Sequence, residues 1–291
     1  MKNKWFILLA VLLTTLACVS TQPATAPVSD VETMVAATMQ TFILTTPPPA
    51  TLPPTAPPGS VVSYQNVSFF LPEGVGTNAL AGTIPAVLND QQGAPWEIAP
   101  EHIKFELGGY PLFGTFHTPY ILIYPAPGFA ALSEAAAISI TRLQAILNGS
   151  AAPTAENLPT IPFFNAAQVF AAQIQTVQFK NGSGVRFLTE YAQYYATANN
   201  KDMFYQFQGL TNDGKYYILA ILPASHPLLA MDEDPASPLP AGGIPFPGID
   251  DQNAINAYYP AVVNLLNTAT PGSFTPTLNN LDALIQSLNI Q

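Results

Sequence analysis

The sequence predicts an α+β fold in which an antiparallel β-sheet carries helices on one or both of its faces. Two observations predict the sheet: apolar, β-rich segments flank a short polar turn at 180–184, and others flank a second turn at 211–215. A tight turn reverses the chain, so the strands that it joins pair antiparallel. A third observation predicts the helices: apolar residues recur at three- and four-residue spacing in one mid-chain segment and in two C-terminal segments.

The first predicted strands lie between residues 61 and 125. Residues 62–69 are rich in β-formers and come shortly before Pro72. Residues 103–107 alternate apolar and polar side chains, which predicts one buried and one solvated face. Residues 120–124 form a short apolar strand that Pro125 ends, because proline lacks the backbone donor that a sheet needs.

A mid-chain helix is predicted over 129–148. Its apolar residues from Leu132 to Leu147 are three or four positions apart, and Gly149 is a typical helix stop. The polar, proline-containing segment 149–162 is a candidate boundary between two subdomains. We favour the alternative, in which one sheet continues across it and residues 61–291 form a single globular α+β domain.

Two hairpins follow. Strands at 176–179 and 185–191 flank the first turn, in which Asn181-Gly182 predicts a left-handed conformation at Gly182. Strands at 203–208 and 216–222 flank the second turn. A long proline-rich loop, 224–248, then leads to the two C-terminal helices, which are predicted over 254–266 and 278–288.

The N-terminal segment predicts export. Lys2 and Lys4 precede an unbroken apolar run at 5–13, and small residues lead from it to Cys18. This order is that of a secretory signal peptide, predicted here over 1–17, and the run is too short to span a bilayer comfortably. Cys18, the chain's single cysteine, then stands where a bacterial lipoprotein carries its lipid. Simple secretion remains an alternative, because ordinary signal peptidase also accepts small residues at positions 15 and 17.

Residues 18–60 form the predicted lipid-anchored tether. The segment is rich in Pro, Thr and Ala, and its proline clusters at 47–49, 53–54 and 57–58 favour extended polyproline II over a packed fold. We therefore expect a disordered, semi-rigid spacer that holds the domain away from a membrane surface.

Composition and charge exclude several classes of protein. The chain has 18 acidic and 8 basic residues, a formal net charge of −10, and its basic residues form no cluster. Binding to nucleic acid or to anionic lipid headgroups needs such a cluster, so neither is predicted. A single cysteine also excludes any disulfide within the chain.

The sequence contains no convincing catalytic or cofactor motif, and no cofactor is predicted. The three histidines, at 102, 117 and 226, have no metal-ligand spacing, and Ser225 next to His226 is a weak candidate for a nucleophile and base. The candidate glycosidase acids are Glu97, Glu101, Glu106 and Glu190, although any acidic protein would offer such a set of carboxyl groups. The carboxylates at 232–234 and 250–251 are either a solvated loop or a calcium site without a recognised motif.

Adjacent aromatic residues occur five times, at 69–70, 163–164, 194–195, 216–217 and 258–259. Neighbours in a strand point to opposite faces, so one ring of each pair is expected in the core. The other rings are either covered by helices or exposed in a tyrosine row that binds sugar or peptide.

The segments 165–170, 181–191, 207–211 and 213–217 resemble a set of uncharacterised bacterial lipoproteins. These proteins share the lipid signal and the Pro/Thr tether, and the resemblance extends over most of 61–291. It implies a location on the extracytoplasmic face of the cell membrane and no particular activity. The paired hairpins also resemble the PsbP/Mog1-like α-β-α sandwich in their strand order.

The leading hypothesis is therefore a surface-displayed, lipid-anchored, non-enzymatic binding or assembly module. Its expected partners are the membrane, through the lipid on Cys18, and an unknown protein or polymer ligand. The alternative hypothesis is an extracytoplasmic hydrolase of envelope or extracellular polymer, with Glu190 or the pair Glu97 and Glu101 as its acid groups.

Overall fold

The computed structural model describes residues 58–88 and 96–291. The predicted signal peptide, Cys18 and almost all of the predicted tether lie outside these residues. The described residues form strands and helices in the predicted α+β arrangement, and they belong to one compact unit, Ala56–Gln291. The strands are β1 Gly59–Tyr64, β2 Val67–Pro72, β3 Asn78–Ile84, β4 His102–Gly108, β5 Tyr120–Pro125, β6 Ala167–Phe179, β7 Gly182–Ala192, β8 Phe204–Thr211, β9 Tyr216–Pro223 and β10 Asn289–Ile290. The helices are α1 Ala126–Leu132, α2 Glu134–Leu147, α3 Gln252–Thr268 and α4 Leu278–Ser287.

Two antiparallel sheets organise the described residues. The larger has seven strands in the order β3-β4-β5-β9-β8-β7-β6, and the smaller has three in the order β1-β2-β10. Strand β5 pairs with β9, so strands from both sides of the 149–162 segment belong to one sheet. That segment therefore connects elements of one sheet.

Helices cover both faces of the seven-stranded sheet. One face packs against α1 and α2 through residues such as Phe129, Ile140 and Leu143. The other packs against α3, α4 and the small sheet. Strand β9 shows how the two cores share a strand, because Tyr217, Leu219 and Ile221 enter the first core while the residues between them enter the second. This alternation follows from the two-residue period of a strand.

The mid-chain helix predicted over 129–148 is two helices. Ser133 has an extended backbone with φ −136°, which ends α1. Its hydroxyl accepts a hydrogen bond from the backbone N–H of Ala136 at 3.3 Å and so caps α2. The break lets both short helices lie against the same face of the sheet. Gly149, with φ +78°, follows the end of α2 as the sequence predicts.

Three predicted strand boundaries are wrong. Residues 62–69 are two strands, β1 and β2, because Gln65 adopts φ +51° and starts a turn. Strand β1 begins at Gly59, inside the last residues of the predicted tether. Strand β6 begins at Ala167 rather than near 176, and two register shifts in its pairing with β7 explain why its pattern is irregular. Strand β3 was not predicted, because its sequence NALAGTI alternates weakly.

The prediction for Gly182 is also wrong. The turn between β6 and β7 consists of Lys180 and Asn181, and Gly182 is the first, buried residue of β7 without a positive φ. Asn181 instead holds the turn against the C-terminus, since its Oδ1 accepts the N–H of Ile290 at 3.1 Å. The hairpin between β8 and β9 is confirmed, with Gly214 at φ +68°.

The C-terminal predictions are confirmed. Helices α3 and α4 lie within two residues of their predicted bounds, and the segment 224–248 contains no helix or named strand. Asp251 caps α3 by accepting the N–H groups of Asn253 and Ala254 at 2.9 and 3.1 Å. Among the described residues, no helix is both long and apolar enough to cross a membrane.

Candidate functional site

Three neighbouring hollows lie where β6 begins and β7 ends, and we call them together the aromatic groove. The first has a volume of about 480 Å³, the second about 420 Å³ and the third about 230 Å³. The first and second share Ala192, Gln193 and Tyr194, and the second and third share Phe164, Ala166 and Tyr191. Because the hollows share lining residues, they adjoin one another at this end of the sheet.

The pairing of β6 with β7 builds the centre of the groove. Ala167 lies opposite Ala192, and Gln168 lies opposite Tyr191. The chain that leaves β7 then turns back toward β8. The backbone N–H of Phe116 donates to the carbonyl of Lys201 at 2.8 Å, which brings the β4–β5 loop to the second hollow. Segments far apart in the sequence thus meet at one end of the sheet.

A cluster of rings underlies the groove. The ring centroids of Phe164 and Tyr191 are 4.5 Å apart, and that of Tyr191 is 6.1 Å from Phe204. His117 lies 4.5 Å from Phe204 and 5.2 Å from Phe164. Burial among these rings lowers the pKa of His117 to about 4, so it is a neutral, aromatic part of the wall at physiological pH.

Amide groups add polarity to the walls. The Nε2 group of Gln168 donates to Thr189 Oγ1 at 3.1 Å, and that of Gln193 donates to the carbonyl of Asn165 at 2.7 Å. No partner within the described residues contacts the Oε1 atom of either glutamine. Each amide is therefore held in place by its nitrogen and presents an acceptor that a ligand can use.

Tyr194 is the most exposed tyrosine of the groove, and of the groove's rings Phe116, at 71%, is more exposed. Its side chain is 63% exposed, makes no hydrogen bond within the described residues and contributes to the first two hollows. Its neighbour Tyr195 is 49% exposed and has a long contact of 3.5 Å to Gln252. Of the five predicted aromatic pairs, this is the one in which both rings are exposed.

Charged groups meet at the far end of the second hollow. Lys201 Nζ lies 2.9 Å from both carboxylate oxygens of Glu233, and this hydrogen-bonded contact lowers the pKa of Glu233. Asp202 accepts a hydrogen bond from Asn199 Nδ2 at 3.0 Å. Burial raises the pKa of Asp202, so the pKa values of the two carboxyl groups of this hollow are shifted in opposite directions.

Glu190 is buried below this charged end. Its side chain is completely inaccessible, and Oε2 accepts the backbone N–H of Asn199 at 3.1 Å while Oε1 has no partner. Desolvation raises its pKa well above the usual value. Glu190 does not line the groove, which argues against its predicted role as a surface acid that contacts substrate.

The other predicted acid groups lie elsewhere. Glu101 directly precedes β4, which three strands separate from β7, and Glu97 is close to it in sequence. Both are exposed, and the structure does not bring them together with Glu190. Glu106 pairs with Lys104 at 2.6 Å on β4.

The serine and histidine at 225 and 226 do not form a nucleophilic pair. His226 Nδ1 lies 3.4 Å from the backbone N–H of Leu228, an arrangement in which Nδ1 accepts and Nε2 carries the proton. Nε2 then donates to Ser273 Oγ at 3.2 Å, and Ser273 donates to the carbonyl of Thr270 at 2.7 Å. This histidine holds a buried turn together and cannot act as a base toward either serine.

The carboxylates of the acidic loop accept hydrogen bonds from residues close to them in the sequence. Asp232 accepts from Ser237 and from the N–H of Asp234, and Asp251 caps α3. Within 58–88 and 96–291, no group of three or more His, Cys, Asp or Glu side chains is arranged to hold a metal ion. Cys18, the predicted lipidation site, lies outside the described residues.

The groove was only partly predictable. The pairs at 163–164 and 194–195 were noted, but Gln168, Gln193 and Asp202 were missed. The hairpin register was the signal that would have found the first two, since it places residues near 168 opposite residues near 191. The two register shifts in β6 hide that signal in the sequence.

No family model matches the chain, and neither a curated protein nor a solved structure is significantly similar to it. The functional argument therefore depends on the geometry of the groove itself.

Proposed function

We propose that this protein is a lipid-anchored binding module on the extracytoplasmic face of a cell membrane and that its ligand site is the aromatic groove. The signal-peptide pattern and Cys18 support the location. Tyr194 is the observation that carries the binding function, because it is a large, exposed ring without a hydrogen-bond partner between two hollows. Tyrosine is common at binding surfaces, since it offers contact area at a small entropic cost.

The groove has the other properties of a preformed ligand site. Its two larger hollows each exceed roughly 300 Å³, the lower limit of typical ligand pockets. Its walls are anchored by the aromatic cluster and by the bonded amides, so binding requires little ordering of side chains. The predicted tether would keep the groove accessible at a distance from the membrane.

A variant pair tests the location of the site. The full-length protein, its Tyr194→Ala variant and its Trp96→Ala variant are immobilised and exposed to envelope extract from the producing cells, separated into protein and polysaccharide fractions. Trp96 is a matched control, because it is 51% exposed and lies outside the groove. We expect wild type and Trp96→Ala to retain the same component and Tyr194→Ala to lose it. Equal retention by all three proteins, or none by wild type, would contradict the proposal.

The opposite pKa shifts of Asp202 and Glu233 favour a second candidate, a hydrolase of envelope or extracellular polymer. In this role Asp202, whose pKa is raised, would give a proton to the leaving group, and Glu233, whose pKa is lowered, would take a proton from the attacking water. Both carboxyl groups line the second hollow. The test is turnover of polysaccharide and peptide substrates by the full-length protein, with Asp202→Asn expected to abolish turnover and Asp213→Asn to leave it unchanged.

A further inference from the structure

We infer that the aromatic groove binds a neutral glycan chain, an inference that rests on the proposed binding function. The first hollow is lined entirely by uncharged residues. Three of these are tyrosines, two are glutamines, and the others are alanine and valine: Tyr194, Tyr195, Tyr259, Gln168, Gln193, Ala167, Ala192 and Val169. This combination of rings and amides is the basis of the inference.

Charge disfavours a polyanionic ligand. Lys201 lies in the second hollow, and Glu233 already neutralises it through two contacts of 2.9 Å. Arg142, at the third hollow, is accompanied there by Glu156. The chain as a whole has a formal net charge of −10 and would repel an anionic polymer.

The polar groups of the groove are suited to hydrogen bonds with the hydroxyl groups of a sugar. A sugar hydroxyl both donates and accepts, and the groove offers both functions on neutral groups. The Oε1 atoms of Gln168 and Gln193 accept, while the hydroxyl of Tyr194 donates or accepts, and none of the three has a partner within the described residues. Each Nε2 group is held by the protein, so the two acceptors are fixed before a ligand arrives.

The apolar part of the groove suits the flat C–H face of a sugar ring. Tyrosine combines a broad apolar ring with a polar hydroxyl, so it can cover such a face and remain hydrated at its edge. Apart from the aromatic rings, the apolar lining of the first hollow is one valine and two alanines. The hollow therefore lacks the deep aliphatic pocket that would select a large peptide side chain.

The shape of the groove suits a chain rather than a single sugar. Three hollows follow one another, and each of the larger two has room for a small ligand of its own. The hollows adjoin, so adjacent units of one polymer would occupy adjacent hollows.

Affinity electrophoresis of the full-length protein tests the inference. The gels contain neutral polysaccharides (dextran, mannan, xylan, mixed-linkage β-glucan) or the anionic alginate, and a proline-rich peptide is tested separately by fluorescence anisotropy. We expect at least one neutral glycan to bind with an affinity that stays the same between low and high salt. Tyr194→Ala should weaken it by about tenfold or more, as loss of a central contact residue does, and Trp96→Ala should not.

The other outcomes overturn the inference in distinguishable ways. Salt-sensitive binding to alginate alone would show that charge, and not the neutral lining, selects the ligand. Binding of the peptide with loss in Tyr194→Ala would refute the glycan but leave the proposed binding function standing. Binding of a glycan equally by wild type and Tyr194→Ala would place the site elsewhere and contradict both. The melting temperature of each variant distinguishes loss of the site from loss of the fold.

Discussion

Glu190 shows how a single side chain acquires its properties from its place in a strand. It follows Arg186 and Leu188 at two-residue spacing in β7, so all three side chains point to the face that α3 and α4 cover. Burial is the main cause of its raised pKa, and the neighbouring carboxyl groups of Asp202 and Glu233 make its ionisation less favourable still. Its one hydrogen bond, from the backbone of Asn199, holds the segment that forms the charged end of the groove.

We predict that this buried carboxyl group makes the protein less stable as pH rises. Its pKa in the folded state is raised from the ordinary value of 4.5, so above about pH 4.5 the folded state holds more protons than the unfolded state. The contribution of Glu190 to stability then falls by up to about 1.4 kcal/mol per pH unit until it ionises in the folded protein. Urea unfolding of wild type and of Glu190→Gln between pH 5 and pH 8 measures this slope as the difference between the two proteins.

Glu190→Gln should flatten the slope, because glutamine keeps an acceptor for Asn199 and does not titrate. Both proteins share the slope of Asp202, whose pKa is also raised, and the opposite slope of the three histidines at 102, 117 and 226, whose pKa values burial lowers. Glu101→Gln, at an exposed position, is the control and should behave as wild type. A wild type whose stability changes with pH in the same way as that of Glu190→Gln would show that Glu190 is already ionised in the folded state.

The hairpin of β6 and β7 shows how an element can form in a way that its turn sequence does not predict. Asn181-Gly182 favours a turn with glycine at positive φ. In the structure the C-terminal chain provides the anchor instead, since Lys180 N–H donates to the carbonyl of Leu288 at 3.0 Å and Asn181 accepts from Ile290. Gly182 is thereby placed inside the strand, where the ring of Phe179 and the carbonyl of Leu210 occupy the position of a side chain.

Gly182→Val is therefore predicted to destabilise the protein by overpacking rather than by turn strain. A Cβ atom at this position would overlap both neighbours, and overpacking of this kind costs about 1–3 kcal/mol. The control is Gly82→Val in β3, where a Cβ would meet no atom within 4 Å. Valine is a good strand former, so this control should unfold at the wild-type temperature or higher. Equal melting temperatures for wild type and Gly182→Val would contradict the placement of Gly182.

At the scale of the whole molecule, the first and the last strand of the described residues both belong to the small three-stranded sheet. The C-terminus is integrated, because β10 pairs with β2 and Gln291 N–H donates to Asn66 at 2.8 Å. The N-terminal strand β1 is an edge strand of the small sheet and begins inside the last residues of the predicted tether. A pull on the tether would thus act first on β1, whose pairing with β2 is its only ladder within the described residues.

At this scale the remaining prediction concerns Cys18. If it carries the lipid, the mature protein begins at this residue, and more than one acyl chain makes its membrane attachment durable. Cys18→Ser should block this processing and leave precursor or released protein. The intact mass of the membrane-extracted wild type decides the question. A wild-type N-terminus beyond Cys18, without acyl mass and with release to the medium, would show simple secretion.

The sequence alone determined the elements in which apolar residues recur with a clear period. Strands β4, β5, β8 and β9 and helices α3 and α4 were predicted because each has enough regular residues to define a buried face. The α+β class follows from these elements and from the turn at 211–215. The aromatic pairs at 163–164 and 194–195 marked part of the groove before its shape was known.

Only the tertiary structure decided the rest, since it depends on contacts between residues far apart in the chain. The groove needs Phe116, Phe164, Tyr191 and Lys201 to meet at one end of the sheet, and no local pattern encodes that meeting. The break at Ser133 interrupts a regular helical pattern, and it lets both short helices pack against the sheet. Strand β6 begins at Ala167, where the sequence pattern is irregular, because it pairs with β7 in the sheet. Glu190 is the clearest case: its residue type suggested a catalytic acid, and the structure buries it beneath α3, where desolvation raises its pKa.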